Sequence, residues 1–202
     1  MLEESHDPVG ALRSEIAAGA LSEERATTAL ALAVEHPQNP FAGTLRGRTY
    51  WARIAFGVRR LESDATIQFA LLCAERCRPQ WDAFQLPDAR GLPALQRARE
   101  WFETRTPTAR ELDLAAADAD EYAAEMEAVA SPDAKTTFAA AAARAWANLV
   151  TGARVAITEP PHDDAAFVAE YCVNAASSYG REAVWQSRLL SAILVFHEPE
   201  SR

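Results

Sequence analysis

Lysine is nearly absent from this chain. Lys135 is the only one, and arginine supplies the rest of the positive charge. Glycine and proline are sparse as well, 8 and 11 in 202 residues, and they gather at apparent segment ends. Nearly half of the residues are hydrophobic, mostly alanine and leucine, so a disordered or low-complexity chain is excluded. No apolar run approaches the ~20 residues that span a bilayer. No basic start followed by a long apolar stretch marks a secretory signal. The expectation is no membrane partner. Only three cysteines occur, Cys73, Cys77 and Cys172, and each sits inside an apolar helical pattern. An odd number in such places excludes a disulfide framework and points to buried free thiols in a reducing, cytoplasmic setting. Period-two alternation, the mark of a half-buried strand, is also missing, as is any fixed-period repeat.

The usual chemical signatures are lacking too. The chain has no glycine-rich phosphate loop, no Walker signature, no Gly-x-Ser-x-Gly elbow and no histidine pair four apart around a glutamate. The four histidines, His6, His36, His162 and His197, fall at helix ends or in loops. Cys73 and Cys77 share a helix face, but no second pair completes a zinc site, so core packing is the preferred reading. His162-Asp163-Asp164 could ligate a metal. The preferred reading is that Asp163 caps a helix while Asp164 adds favourable charge at its positive end. No enzyme, cofactor or metal is expected from these residues.

What is present is helical periodicity. Short helices are expected from Asp7-Pro8 to Gly19 and from Ser22 to His36. A third pattern covers residues 44–61. Ile67, Ala70, Leu71, Ala74, Cys77, Trp81 and Phe84 mark the most apolar helix, and its other sides are apolar as well, so it belongs at the centre. Pro79 predicts a kink or break in it. Pro93 begins the next helix, which ends before Thr106-Pro107. Thr108 to Glu111 reads as a capping box. Ser131-Pro132 is expected to cap a further helix closed by Gly152. Another runs from Phe167 to Tyr179, closed by Gly180, and Trp185 to Phe196 forms the last. The fold expected is all-α: an antiparallel bundle of about eight to nine helices without a sheet. It is one domain over residues 1–202, with 1–45 as a candidate N-terminal helical extension.

Charge is unevenly spread. Residues 1–105 carry 13 arginines against 14 carboxylates, a net −1; residues 106–202 carry 7 cations against 15 carboxylates, a net −8. The acidic half would repel nucleic acid and attract a basic partner, although simple solubility also accounts for it. Much of it lies on one face of the helix that the capping box opens: Asp113, Asp118, Asp120, Glu121 and Glu125, with Glu127 beyond. Arg46, Arg48, Arg53, Arg59 and Arg60 form an acid-free stretch, read as a solvated helix face. Glu75-Arg76 stands out, because both charges lie in the most apolar helix. Buried charges must be paired. Either the two form a structural ion pair, or they line a pocket.

The segment from Phe69 through Glu75, Arg76, Pro79 and Trp81 to Phe84 resembles the signature of a bacterial helical family, the DUF416 group. Arg60-Leu61-Glu62, the Leu95 to Trp101 helix and the Ser131 to Leu149 helix are similar as well. The same Ala-Glu-Arg-x-x-Pro helix, with a final helix like Val184-Trp185 to Leu189, resembles immunity proteins of the Imm5 type. These likenesses cover about residues 58–196. They imply an all-α fold and, through the immunity proteins, neutralisation of a cognate bacterial toxin. They imply no catalytic residue. The leading expectation is therefore a protein-binding immunity factor whose acidic helix face occludes a basic nuclease cleft. Two alternatives are a helical bundle with a small-molecule or enzymatic pocket at Glu75/Arg76, and a structural homo-oligomer. Sequence leaves the oligomeric state open.

Overall fold

The computed structural model describes residues 50–84 and 90–196, together with residues 14–16, Ala18 and Arg25. Eight helices lie among the described residues: α1 (Tyr50–Val58), α2 (Ser63–Glu75), α3 (Arg78–Phe84), α4 (Leu92–Thr104), α5 (Ala109–Glu127), α6 (Ala134–Val155), α7 (His162–Ala175) and α8 (Tyr179–Phe196). No strand occurs among them, and no helix is long and apolar enough to cross a membrane. The all-α expectation is met. The two N-terminal helices expected before residue 37 fall mostly outside the described residues. Residues 14–16 are helical, and Ile16 is buried in the main core.

α6 is the axle. It packs against α2, α4, α5 and α7. Its alanines are the reason: Ala139 to Ala143 are all buried, as are Ala145, Ala147 and Ala153. Methyl groups let neighbouring helix backbones approach closely on every side. Larger anchors fix the orientation. Trp146 is fully buried, and its indole Nε1 donates to the Ala74 carbonyl at 3.2 Å. That carbonyl lies in the last turn of α2 and also accepts from the Cys77 N–H at 3.1 Å, so the indole is a further donor to it. Trp81 packs against Trp146 with ring centroids 4.6 Å apart and planes tilted by 48°, and Tyr122 and Phe138 lie against Trp81. Gly91 closes this cluster. A β-carbon there would come within 3.1 Å of the Trp81 ring and 3.2 Å of Trp146.

α2 is buried continuously from Ala65 to Ala74, as its all-round apolar pattern predicts. The expected break is real. α2 stops at Glu75, and α3 begins at Arg78 with Pro79 in its first turn, where a missing N–H costs nothing. The capping box of α5 is also real: Thr108 Oγ1 accepts from the Glu111 N–H at 3.3 Å, and Glu111 accepts from the Thr108 N–H at 2.8 Å. These bonds hold the Glu111 carboxyl below its ordinary range.

Four boundaries differ from the sequence reading. The cap of α6 is Asp133 rather than Ser131; it accepts from the Thr136 N–H at 2.7 Å. Gly152 does not end α6, which continues to Val155. Its lack of a side chain admits α7 instead, since a β-carbon would sit 3.1 Å from that of Asp164. Likewise α7 ends at Ala175, and Gly180 belongs to the first turn of α8. The N-cap of α7 is Pro161, not Asp163. Asp163 pairs instead with Arg59 at 3.5 Å, while Asp164 is half-buried. Burial, then the Asp163 charge, pushes its carboxyl up to about 6. The positive helix end does not outweigh that desolvation.

Candidate functional site

Glu75 and Arg76 are not partners of each other. Consecutive residues on a helix point about 100° apart, and the fold uses that divergence. Glu75 turns to α4, where Arg99 Nε donates to it at 2.8 Å. Arg76 turns to α8. Its Nε lies 3.1 Å from Glu182 Oε2, and its guanidinium lies 4.0 Å from the Trp185 ring centroid. The Glu182 side chain is only 9% exposed. It also accepts from Gln186 Nε2 at 3.1 Å, one turn along α8. A buried carboxylate thus has two donors, and the cation that holds it is stacked on an aromatic face.

Beside this pair lies a cavity of about 160 Å³. Arg76, Glu182, Gln80, Ser177, Cys77 and Cys172 are among the residues that line it. Of the two charged residues that the sequence singles out, Arg76 lines the cavity and Glu75 does not. All three cysteines are buried and free. Burial pushes the Cys73 and Cys172 thiols well above their ordinary range, and for Cys172 the contact with Cys77 adds to this. Such thiols are protonated and poor nucleophiles at neutral pH. Among the described residues, no three His, Cys, Asp or Glu side chains are grouped to hold a metal ion.

The other residues of the motif segment build the scaffold. Phe69 is fully buried, Trp81 is in the aromatic cluster, and Phe84 meets Phe138 edge-on at 5.2 Å. Pro79 is exposed at the start of α3. The segment fixes the α2–α3 joint and hands one charge to each neighbouring helix.

The acidic face of α5 is exposed as expected, but much of it is engaged within the molecule. Asp120 and Glu127 both bind Arg144 of α6, at 2.8 and 2.9 Å. Arg144 holds the Glu127 carboxyl below its ordinary value. Asp113 lies 3.6 Å from Arg154, and Glu125 pairs with Arg90. These pairs show that α5 and α6 run antiparallel, since residue 113 faces 154 and residue 127 faces 144. Asp118 and Glu121 remain: both are exposed, and neither has a cationic partner among the described residues. Leu114, four and seven residues before them, is 57% exposed. Spacings of four and three place all three on one outward stripe. Sequence reasoning missed Leu114, Arg144 and Arg90. An outward leucine looks like a core position until the neighbouring helices are placed.

The arginine-rich stretch lies partly outside the described residues, at Arg46 and Arg48. Of the rest, Arg59 pairs with Asp163, and Arg60 lies 6.0 Å from the Phe56 ring. Against known proteins, no family model, no curated protein and no solved structure matches this chain.

Proposed function

We propose that this chain is an immunity-type binding protein, one that neutralises a bacterial toxin by docking the outward stripe of α5 on a basic surface such as a nuclease cleft. The observation that carries the reading is the contrast within α5. Asp113, Asp120, Glu125 and Glu127 have arginine partners in the molecule, whereas Asp118 and Glu121 have no cationic partner among the described residues and follow the exposed Leu114 by one and two turns. Self-neutralised carboxylates add little to association, because an incoming cation must displace an existing one. Free carboxylates on an acidic half speed encounter with a basic partner and aid selectivity. The likeness of the Phe69–Phe84 segment to immunity proteins agrees with this reading, since the motif works as scaffold. In this reading the protein catalyses nothing and needs no cofactor.

The test is charge reversal of Asp118→Lys with Glu121→Lys, followed by titration against the protein encoded by the adjacent gene at two salt concentrations. The expected result is a fall in association rate of about tenfold at low salt and a flatter salt dependence. Unchanged affinity and salt response would remove this surface from consideration.

A second reading has one observation in its favour, the cavity at Arg76 and Glu182. Its volume suits only a small molecule, comparable in size to benzene. Its paired charges would suit a neutral, hydrogen-bonding ligand rather than an ion.

A further inference from the structure

The cavity beside Arg76 lies where the α2–α3 joint meets α6, α7 and α8. The joint contributes Arg76 and Cys77, the last turn of α7 contributes Cys172, and the first turn of α8 contributes Glu182. Glu182 is the wall that asks for something more. A carboxylate offers about four lone-pair positions. Among the described residues only two groups donate to this one. Arg76 Nε is shared between its oxygens at 3.1 and 3.3 Å, and Gln186 Nε2 binds one of them. The side chain is 9% exposed, so bulk water reaches little of the remainder. Unfilled acceptor positions in so dry a place favour a further donor. The cavity is the side from which one can approach.

Charge narrows the choice of donor. Arg76 and Glu182 are the only charged residues in the lining, and they neutralise each other. Burial keeps the Cys172 thiol protonated, so it adds no charge. An ion entering the cavity would shed its hydration and meet no counter-charge. Gln80 and Ser177, also in the lining, each bring both a donor and an acceptor. Phe138 and the thiols supply apolar wall.

The structure assigns to this cavity a neutral ligand about the size of benzene, with an N–H donor for Glu182 and an acceptor beside it, as in a small azole or amide. The assignment rests on the small-molecule reading of the cavity given above and is independent of the acidic stripe of α5. It adds the atoms that do the recognising. Glu182 selects the donor, and Arg76 keeps Glu182 ionised and in place.

Two isomers test this on the full chain, both neutral at pH 7. 4-Methylpyrazole keeps its N–H, whereas 1-methylpyrazole carries the methyl on that nitrogen. Backbone amide shifts of Cys77, Ala176 and Ser177 in isotope-labelled protein report where each binds and how tightly. 4-Methylpyrazole is expected to bind there with a Kd of about 1 mM or below, and 1-methylpyrazole at least roughly tenfold more weakly. Acetate and methylammonium are expected to leave those amides unmoved. Ala176 lines the cavity, and its extended backbone, φ −69° and ψ 140°, accepts leucine. Ala176→Leu should therefore fill the cavity and abolish binding. Thermal unfolding checks that this variant is folded; 4-methylpyrazole should raise the melting temperature of the parent and not of the variant. Equal binding of the two isomers, or binding of benzene alone, overturns the donor assignment while the small-molecule reading stands. Tighter binding of either ion overturns the assignment as well, as does unchanged binding of 4-methylpyrazole to Ala176→Leu. If none of these compounds binds at ~10 mM, the small-molecule reading falls with it.

Discussion

Arg76 and Glu182 are 106 residues apart in sequence and 3.1 Å apart in space. Their contact fastens the last helix to the joint between α2 and α3. Removing one partner leaves the other charged and mostly dry. Arg76→Met is therefore expected to destabilise the fold by about 2–4 kcal/mol, somewhat below a fully buried pair because the arginine is partly solvated. Adding Glu182→Gln should restore most of that loss. Urea unfolding of the two single variants and the double variant measures the coupling. A coupling near zero would mean that the pair adds nothing beyond its packing.

Gln68 is 2% exposed, and neither its amide oxygen nor its nitrogen has a hydrogen-bond partner among the described residues. Methionine keeps its length and removes two unpaired polar atoms. Gln68→Met is expected to stabilise by about 1–3 kcal/mol. The check is a higher denaturant midpoint with an unchanged slope. A loss of stability instead would reveal a polar partner for that amide.

Asp164 gives a pH prediction with a definite sign. Its carboxyl titrates at about 6 in the fold against an ordinary 3.8. Between those values the folded state holds a proton that the unfolded chain has released. This group's contribution to stability therefore falls as pH rises through the window and stays low above it. The shift is discounted because the group remains partly in water, which leaves about 1–2 kcal/mol. Asp164→Asn should regain that amount at pH 7 and nothing at pH 4. The comparison of wild type with variant isolates this residue from Glu111, Glu127 and Asp133, whose lowered carboxyls act in the opposite sense.

Gly91 sets two small effects against each other. Its backbone, φ −71° and ψ −32°, suits alanine, and that change would gain about 0.4–1 kcal/mol by restricting the unfolded chain. The added methyl, however, meets two buried indoles at 3.1 and 3.2 Å, and overpacking of this kind costs about 1–3 kcal/mol. Gly91→Ala should lose on balance, lowering the melting temperature by roughly 2–8 °C. A change in the near-ultraviolet circular dichroism should accompany it.

The helices were largely readable because their signals are local. The capping box at Thr108, the proline break near Arg78 and the apolar faces of α2 and α5 each lie within one or two turns of chain. Gly152 and Gly180 look like stop signals, yet Gly152 is a glycine for the sake of α7, an element the local pattern does not contain. The candidate surface was legible only as composition. Five acids on one face are visible in the sequence; which of them are already held by Arg90, Arg144 and Arg154 depends on how helices distant in the chain pack. Glu182 was invisible for the same reason. On α8 it reads as an ordinary first-turn acid, and only the approach of Arg76 makes it half of an ion pair.

The alanine row of α6 has a thermodynamic side. Eight of its thirteen buried residues are alanine, and alanine has no rotamers to lose on folding. The central helix is thus ordered at almost no side-chain entropy, but each methyl also removes little apolar area from water. Cohesion about the axle is consequently concentrated in a few bulky contacts, Trp146 and Phe138 foremost. Alanine sets how close the layers lie, and the aromatic residues set how firmly they hold.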